Sequence, residues 1–139
     1  MAAAKVRGYQ GESLDDEGSV VATAKHFPAY SEPERGADGA PVDVSAYTLN
    51  RAFLPPLRAA VDAGVGSVMP CYNDVNGKPV HASRHFLTDV LRGDLGFDGV
   101  TVSDWFGVEM LSRDHGTAHS VAEATSQVTR AGLDFASIG

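Results

Sequence analysis

Three short apolar segments, separated by stretches with helical spacing, limit most strongly what this chain can fold into. The segments cover residues 19–27, 66–72 and 99–105. Their apolar and β-branched residues run almost without interruption, a pattern typical of strands that are covered on both faces. Alternation of such strands with helices favours a parallel sheet with right-handed crossover connections. The predicted fold class is therefore α/β, although the alternation alone does not distinguish an open sheet from a barrel.

Two helices have recognisable starting points in the sequence. The first is predicted to begin at the candidate cap Ser45 and to be bent or interrupted by Pro55 and Pro56. The second is predicted to begin at the candidate cap Ser83 and to carry one apolar stripe. The residues of that stripe are Phe86, Leu87, Val90 and Leu91.

The end of the sequence continues the same alternation. A third helix is predicted over about residues 119–131, and a last short strand over residues 133–138, which gives the order βαβαβαβ. Residues 28–43, by contrast, hold several Pro, Gly and charged residues. This loop is longer than the roughly 2–6 residues usual between strand and helix. Long loops at strand ends commonly bind a ligand.

Polar side chains are concentrated at the carboxyl end of each predicted strand. They are Lys25 and His26, Tyr72 and Asn73, and Asp104 and Trp105. Because parallel strands all end on one edge of a sheet, these groups are expected to lie on the same side of the fold. In parallel α/β proteins, and in (β/α) barrels above all, this edge carries the ligand site.

Charge and hydropathy exclude several classes of partner. The formal net charge is −7, and Lys and Arg are scattered singly, so nucleic acid is not an expected partner. The first residues lack the apolar run of a signal peptide, and no segment approaches the roughly 20 apolar residues of a membrane helix. The chain is therefore expected to be soluble and without a membrane partner, while its compartment stays open.

The cysteine and histidine pattern gives little support for metal chemistry. Cys71 is the only cysteine, so an internal disulfide is excluded, and a small buried residue is expected there. His81 and His85 stand four residues apart, as do His115 and His119. Neither pair has the intervening Glu of the H-E-x-x-H motif. We therefore expect surface or loop histidines, no metal site and no cofactor.

Five segments carry a resemblance to a known family. They are KHF at residues 25–27, MPCYN at 69–73, NGKP at 76–79, LRG at 91–93 and GFDGVTVSDW at 96–105. In their order and spacing they resemble the family-three glycoside hydrolases of the β-glucosidase and β-xylosidase type. The resemblance runs from about residue 20 to residue 134, which is nearly the whole chain.

The resemblance implies a fold and a set of site residues. The fold would be a segment of a (β/α) TIM barrel, about half a barrel with parallel strands. Asp104 would be the catalytic nucleophile, and Lys25 and His26 would bind sugar hydroxyls in the first subsite. Tyr72 would lie beside the nucleophile, and Trp105 would help to wall the pocket.

The chemistry of these residue types agrees with the implied roles. A retaining glycosidase needs an ionised carboxylate beneath the anomeric carbon and a protonated carboxyl about 5–5.5 Å away. Asp104 suits the first task, a nearby Lys25 would favour its ionised form, and the Tyr72 hydroxyl could orient it by a hydrogen bond. The indole of Trp105 offers an apolar face to a pyranose ring.

The sequence departs from the family in extent. TIM barrels run to about 250 residues, whereas this chain has 139, so residues 1–139 are interpreted as a partial catalytic barrel that lacks N- and C-terminal parts. Nothing before Lys25 resembles the family's upstream sugar-binding segments. The isolated chain is therefore expected to be nearly inactive and to expose apolar surface that favours self-association.

No residue of the chain can be assigned as the acid/base. In the glucosidase branch of the family that residue is a Glu from a second domain after the barrel. The β-N-acetylglucosaminidase branch carries an Asp-His dyad in the loop after the Lys-His strand instead. The loop 28–43 has Asp38 and Asp43 but no His, which disfavours that branch. Glu32 and Glu34 of the same loop are expected to be solvated charges.

Two functions follow from the sequence. The first is a retaining, exo-acting β-glycosidase, with β-glucosidase favoured, which acts on a small carbohydrate without cofactor through a covalent glycosyl-enzyme on Asp104. The alternative is a non-catalytic carbohydrate-binding or assembly module, a half-barrel that pairs with another chain. In-frame family segments in the flanking DNA would favour the first, and genuine stop codons the second. The sugar and the linkage stay open.

Overall fold

A parallel sheet with helices packed against it forms the centre of the structure, a computed structural model that describes residues 1–137. The strands are β1 (Thr23–Phe27), β2 (Ser67–Pro70), β3 (Asp74–Val75), β4 (Lys78–Pro79) and β5 (Val100–Thr101). The α-helices are α1 (Ala2–Gln10), α2 (Ala46–Thr48), α3 (Leu54–Val61), α4 (Met110–Arg113) and α5 (Val121–Ala131). Two segments are π-helical (Leu49–Phe53 and His85–Asp94), and two are 3₁₀ helices (Glu34–Gly36 and Val80–Ala82).

Three of the predicted strands pair in parallel, as the sequence indicates. β1 runs beside β2 with Thr23 opposite Ser67, and β2 runs beside β5 with Val68 opposite Thr101. β2 is therefore the central strand, and its Val68 is fully buried. β3 and β4 form a separate antiparallel hairpin just beyond the end of β2.

The predicted last strand over residues 133–138 is wrong for the part that the structure describes. A single parallel bridge joins Val102 to Phe135, and Ile138 lies outside the described residues. The physical reason is Asp134, whose carboxylate takes the Thr101 N–H at 2.8 Å in place of a backbone carbonyl. Backbone pairing is present around Phe135, whose N–H donates to the Thr101 carbonyl at 3.0 Å and whose carbonyl accepts the Ser103 N–H at 2.8 Å. Beyond it the Ser137 N–H donates to the Ser103 hydroxyl at 2.7 Å instead of a backbone carbonyl, so the pairing stays a single bridge.

The first predicted helix begins at Ser45 as expected, but Pro55 and Pro56 do not break it. The Ser45 hydroxyl accepts a hydrogen bond from the Thr48 N–H at 3.1 Å, which satisfies a free donor of the first turn. Both prolines lie in the first turn of α3, where a backbone N–H has no partner within the helix, so the missing N–H groups of proline cost no helical hydrogen bond. The irregularity is instead the π-helical segment Leu49–Phe53, just upstream of them.

The second and third predicted helices are confirmed. The Ser83 hydroxyl accepts from the Phe86 N–H at 3.3 Å, and the apolar stripe that follows is buried. Ser120 caps α5 by accepting from the Glu123 N–H at 3.2 Å. These two helices pack against each other and against the 3₁₀ helix Val80–Ala82.

A buried glutamine ties the amino ends of the strands together. The Gln10 side-chain oxygen accepts from the N–H groups of Ala22 (3.1 Å) and Gly66 (2.9 Å). Its amide nitrogen donates to the Gly64 carbonyl at 2.8 Å. Because Gln10 ends α1, this helix fixes the relative height of β1 and β2, and with it the register of their carboxyl ends.

Apolar side chains remain exposed at the edges of the sheet. Val100 is 51% exposed and Phe135 is 62% exposed, and Val20 and Val21 just before β1 are also exposed. Within residues 1–137, β1 pairs with β2 alone. No helix in this range is long and apolar enough to cross a lipid bilayer.

These open edges lead to a prediction for the free chain. Unpaired backbone groups and exposed apolar side chains at a sheet edge favour pairing with another chain. We expect the 139-residue chain to dimerise, or else to be molten and aggregation-prone, and to bind a dye specific for apolar surface. Sedimentation velocity with dye fluorescence checks this. A monodisperse monomer with a sharp cooperative melt and no dye binding would contradict it.

Candidate active site

The polar residues named from the sequence meet at the carboxyl edge of the sheet. Lys25 and His26 lie in the last three residues of β1, Tyr72 follows β2, and Asp104 and Trp105 follow β5. Asp104 is the centre of the group, with 7% of its surface exposed. The parallel register of the three strands is what brings these side chains together.

Three hydrogen-bond donors converge on the Asp104 carboxylate. Oδ1 accepts from the Tyr72 hydroxyl at 3.0 Å and from the backbone N–H of Trp105 at 2.8 Å. Oδ2 lies 3.0 Å from Nε2 of His26. Both oxygens therefore act as acceptors, which is the bonding pattern of an ionised carboxylate. The three contacts fix the position and the plane of the group.

An irregularity in β1 brings His26 to this carboxylate. The pairing with β2 is regular from Thr23 to Lys25, then skips His26, and resumes with Phe27 opposite Pro70. Such a bulge re-aims side chains and is frequent beside functional sites. The Lys25–His26 peptide bond is cis.

His26 contacts Asp104 as a neutral ring. Burial lowers the pKa of His26 below its ordinary value, and the nearby Asp104 carboxylate opposes this shift only in part. The contact is therefore a hydrogen bond donated by the Nε2–H tautomer rather than an ion pair. The ring also packs against Tyr30, with 4.5 Å between ring centroids, and the Tyr30 hydroxyl donates to Asp38 at 2.8 Å.

Tyr72 is held in its donor form. Burial, together with the hydrogen bond to Asp104, raises the pKa of Tyr72 to about 12. The hydroxyl therefore keeps its proton and donates to Oδ1. The carbonyl of Tyr72 is itself 2.9 Å from Nε2 of His115, a contact that anchors the backbone of this residue.

The structure does not bring Lys25 and Trp105 onto the carboxylate through their side chains. Lys25 is exposed, and among the described residues it forms no ion pair with Asp104. The side chain of β1 that contacts the Asp104 carboxylate is His26 instead. The indole of Trp105 is exposed, with 60% of the residue accessible, beside the ring of Phe106. Its face is thus open to a ligand.

A tight turn follows Asp104 directly. The Asp104 carbonyl accepts from the Gly107 N–H at 3.0 Å, and Phe106 within the turn has φ of 55°. A bulky residue with positive φ costs on the order of 1–3 kcal/mol, and such residues cluster at functional sites. The turn exposes the Trp105 and Phe106 side chains while Asp104 stays buried.

The expectation of surface or loop histidines is wrong for His81. Its ring is 2% exposed, within the 3₁₀ helix Val80–Ala82 beside β4, and Nε2 accepts the backbone N–H of Asp104 at 3.2 Å. Burial lowers the pKa of His81 from 6.5 to about 4, although the Asp104 charge acts in the opposite direction. His85 and His119 are exposed, as expected.

Other expectations about the loop and the cysteine are confirmed. Glu32 and Glu34 are exposed, and Cys71 is fully buried, with its thiol donating to the Pro28 carbonyl at 3.3 Å. Burial raises the pKa of the Cys71 thiol to about 12. Among residues 1–137, no group of three or more His, Cys, Asp or Glu side chains is arranged to hold a metal ion.

Comparison with known proteins places this arrangement in a family. The family model described as the glycosyl hydrolase family 3 N-terminal domain matches residues 1–137. The chain belongs to glycoside hydrolase family 3. The α/β prediction and the resemblance read from the sequence are thereby confirmed.

Members of family 3 are similar to this chain over nearly all of its length. It is 42% identical over 144 residues to the lysosomal β-glucosidase of Dictyostelium discoideum, covering 99% of this chain and 18% of that protein. It is 46% identical over 138 residues to a β-xylosidase of Formosa agariphila, covering 97% of this chain and 19% of that protein. The chain thus spans less than a fifth of the length of these two relatives.

A solved family 3 structure has the same fold. The β-glucosidase of Listeria innocua in complex with glucose superposes with a TM-score of 0.92 at 37% identity, covering 97% of this chain and 19% of that chain. The chain is accordingly a segment of a family 3 (β/α) TIM barrel, and the sheet described above is part of that barrel.

The protonation of His81 leads to a prediction about acid stability. Because its pKa is about 4 in the folded state and about 6.5 when unfolded, the unfolded chain binds more protons between these values. Stability should therefore fall as the pH drops below 6.5, by about 2 kcal/mol at pH 5 from this residue.

Thermal unfolding of the full-length protein and of its His81→Gln variant at pH 7.5, 6 and 5 checks this prediction. The chain concentration is held constant, since association also shifts the melting temperature. The variant should lose less stability on acidification than wild type, whereas the exposed-site control His119→Gln should behave as wild type. Equal acid sensitivity of wild type and His81→Gln would contradict the prediction.

Proposed function

We propose that this chain is the nucleophile-bearing part of the catalytic barrel of a retaining, exo-acting β-glycosidase. Asp104 is the nucleophile, and residues 1–139 form a partial barrel completed by parts outside this chain. The single observation that carries the proposal is the Asp104 carboxylate, buried at the barrel's carboxyl edge with both oxygens held by three donors. Family membership supports the same reaction class.

The reaction proceeds by two displacements at the anomeric carbon. An oxygen of Asp104 attacks this carbon while its bond to the leaving oxygen breaks, and that oxygen takes a proton from an acid outside this chain. Water then attacks the same carbon, a base removes the proton from the water, and the bond to Asp104 breaks. The sugar leaves with its original anomeric configuration.

The hydrogen bonds to Asp104 serve this reaction by orientation. A nucleophile gains rate when it is held close to the attacked carbon in the correct direction, and this geometry is established before substrate arrives. Tyr72 holds Oδ1 from the side of β2, and His26 holds Oδ2 from β1. Two strands thus prevent rotation of the carboxylate.

The surrounding side chains suit a sugar as substrate. The exposed indole of Trp105 offers an apolar face for the C–H face of a pyranose. The exposed ammonium of Lys25 supplies donors for neighbouring hydroxyls, and Nδ1 of the neutral His26 ring is left to accept from one, since its Nε2–H is given to Asp104. β-Glucosides are the favoured substrates, because relatives named as β-glucosidases include one that is solved with glucose, while a β-xylosidase relative keeps xylosides as the second choice.

Removal of the nucleophile is the direct test. In the full-length protein encoded by the reading frame around this chain, Asp104→Ala should lower kcat for an aryl β-glucoside by several orders of magnitude, because the covalent step is lost. Added azide should restore turnover of Asp104→Ala and give a product of inverted configuration. Steady-state kinetics and NMR of the product anomer provide the measurements.

Two controls accompany this test. Asp114→Ala removes an exposed carboxylate that pairs with Arg113 on the surface, and it should leave kcat unchanged. The isolated 139-residue chain should show no turnover above background, since it lacks an assigned proton donor. Unimpaired turnover by the full-length Asp104→Asn variant would overturn the assignment, and rapid hydrolysis by the isolated chain would overturn the partial-barrel interpretation.

A further inference from the structure

We propose that His81 is a positioning residue for the nucleophile, whose unprotonated Nε2 accepts the backbone N–H of Asp104 and fixes the peptide that carries the carboxylate. The inference rests on the proposed function, in which Asp104 attacks the sugar. It assigns a task to a histidine that is 2% exposed and that contacts the peptide N–H of Asp104.

The first support is the end of the sheet ladder at β5. The Val102 N–H donates to the Val68 carbonyl at 3.0 Å, and the Ser103 N–H donates to the Phe135 carbonyl at 2.8 Å. The next N–H along the chain is that of Asp104, and among the described residues it has no backbone carbonyl as acceptor. It donates instead to Nε2 of His81 at 3.2 Å. A buried N–H without a partner would be costly, so the ring completes the ladder at the residue that carries the chemistry.

The second support is the close approach of Gly107 to the same ring. A Cβ at this position would lie 2.4 Å from Nε2 and 2.7 Å from Cε1 of His81, so only glycine leaves room for the imidazole. Gly107 also closes the turn that begins at Asp104. The His81 ring therefore packs against both ends of this turn, at the Asp104 N–H and at Gly107.

The third support is the contact with Tyr72. The rings of His81 and Tyr72 are stacked at 27°, with 6.4 Å between centroids, and the hydroxyl of Tyr72 holds Oδ1 of Asp104. One buried ring therefore touches both the peptide of the nucleophile and the side chain that orients its carboxylate.

Acceptance of a hydrogen bond at Nε2 requires a neutral ring with its proton on Nδ1. Burial favours this state, and the nearby rings of His115 and His26 act in the same direction. The charge of Asp104 and the backbone of Cys71 favour the protonated ring, but burial outweighs them. A protonated His81 would lose its lone pair at Nε2 and release the Asp104 N–H.

The test compares two replacements of similar size in the full-length protein. His81→Gln can place a carbonyl oxygen near the position of Nε2, whereas His81→Leu has no acceptor. We expect His81→Leu to lower kcat by about 10²-fold, as a small misplacement of a nucleophile does, with KM changed far less. His81→Gln should recover most of kcat. Melting temperatures are measured for both, and kinetics are run well below them.

A second variant tests the same contact from the other side. Gly107→Ala should displace the ring and lower kcat in the same way as His81→Leu, and the double variant should be little worse than either single one. Gly8→Ala is the matched control, since a Cβ there meets nothing within 4 Å, and it should leave kcat unchanged.

The wild-type protein provides a measurement that needs no variant. With ¹⁵N-labelled histidine, Nε2 of His81 should be unprotonated from pH 8 to pH 5.5. A proton on Nε2 in this range overturns the proposal, and so do an unimpaired His81→Leu variant or a His81→Gln variant as slow as His81→Leu. If Asp104→Ala is inactive while His81→Leu is unimpaired, this inference alone fails; unimpaired Asp104→Ala removes the proposed function as well.

Discussion

Parallel pairing of β2 with β1 on one side and β5 on the other is the constraint on which the candidate site depends. It places the carboxyl ends of three strands at one edge, where Tyr72, His26 and Asp104 come within hydrogen-bond distance although they are far apart in sequence. The register is set at the opposite edge, where Gln10 connects the amino ends of β1 and β2. A one-residue slip of either strand would turn these side chains to the other face.

The hydrogen bonds at this edge of the sheet offset the free-energy cost of burying the Asp104 carboxylate. An ionised group removed from water needs hydrogen bonds to offset its desolvation. Asp104 receives them from two side chains and from the next peptide N–H. Two of the donors come from strands other than β5, so the solvation of Asp104 and the assembly of the sheet are coupled. The exposed Trp105 lies directly beside this buried group, an arrangement that suits a substrate with one apolar face and many hydroxyls.

The sequence was sufficient to predict three parallel strands, the caps at Ser45 and Ser83, and the position of His26, Tyr72 and Asp104 at one edge of the sheet, because each depends on a local pattern or motif. It did not show that His26 rather than Lys25 contacts the Asp104 carboxylate. The hairpin β3–β4 was missed although Asn76 and Gly77, with positive φ, form the expected two-residue turn signal. Helix α1 has no clear apolar stripe and is held mainly by contacts of Val6 and Gln10 with distant residues. The burial of His81 could not be predicted either, since its hydrogen-bond partner lies 23 residues further along the chain.

Covalent trapping would identify the nucleophile directly. A 2-deoxy-2-fluoro-β-glucoside with a good leaving group forms the glycosyl-enzyme of a retaining enzyme but slows its hydrolysis, so the intermediate accumulates. We expect the full-length protein to gain the mass of one fluoroglucosyl group and peptide mapping to place that group on Asp104. A label on a different carboxylate, or turnover that inverts the anomeric centre of the substrate, would contradict it.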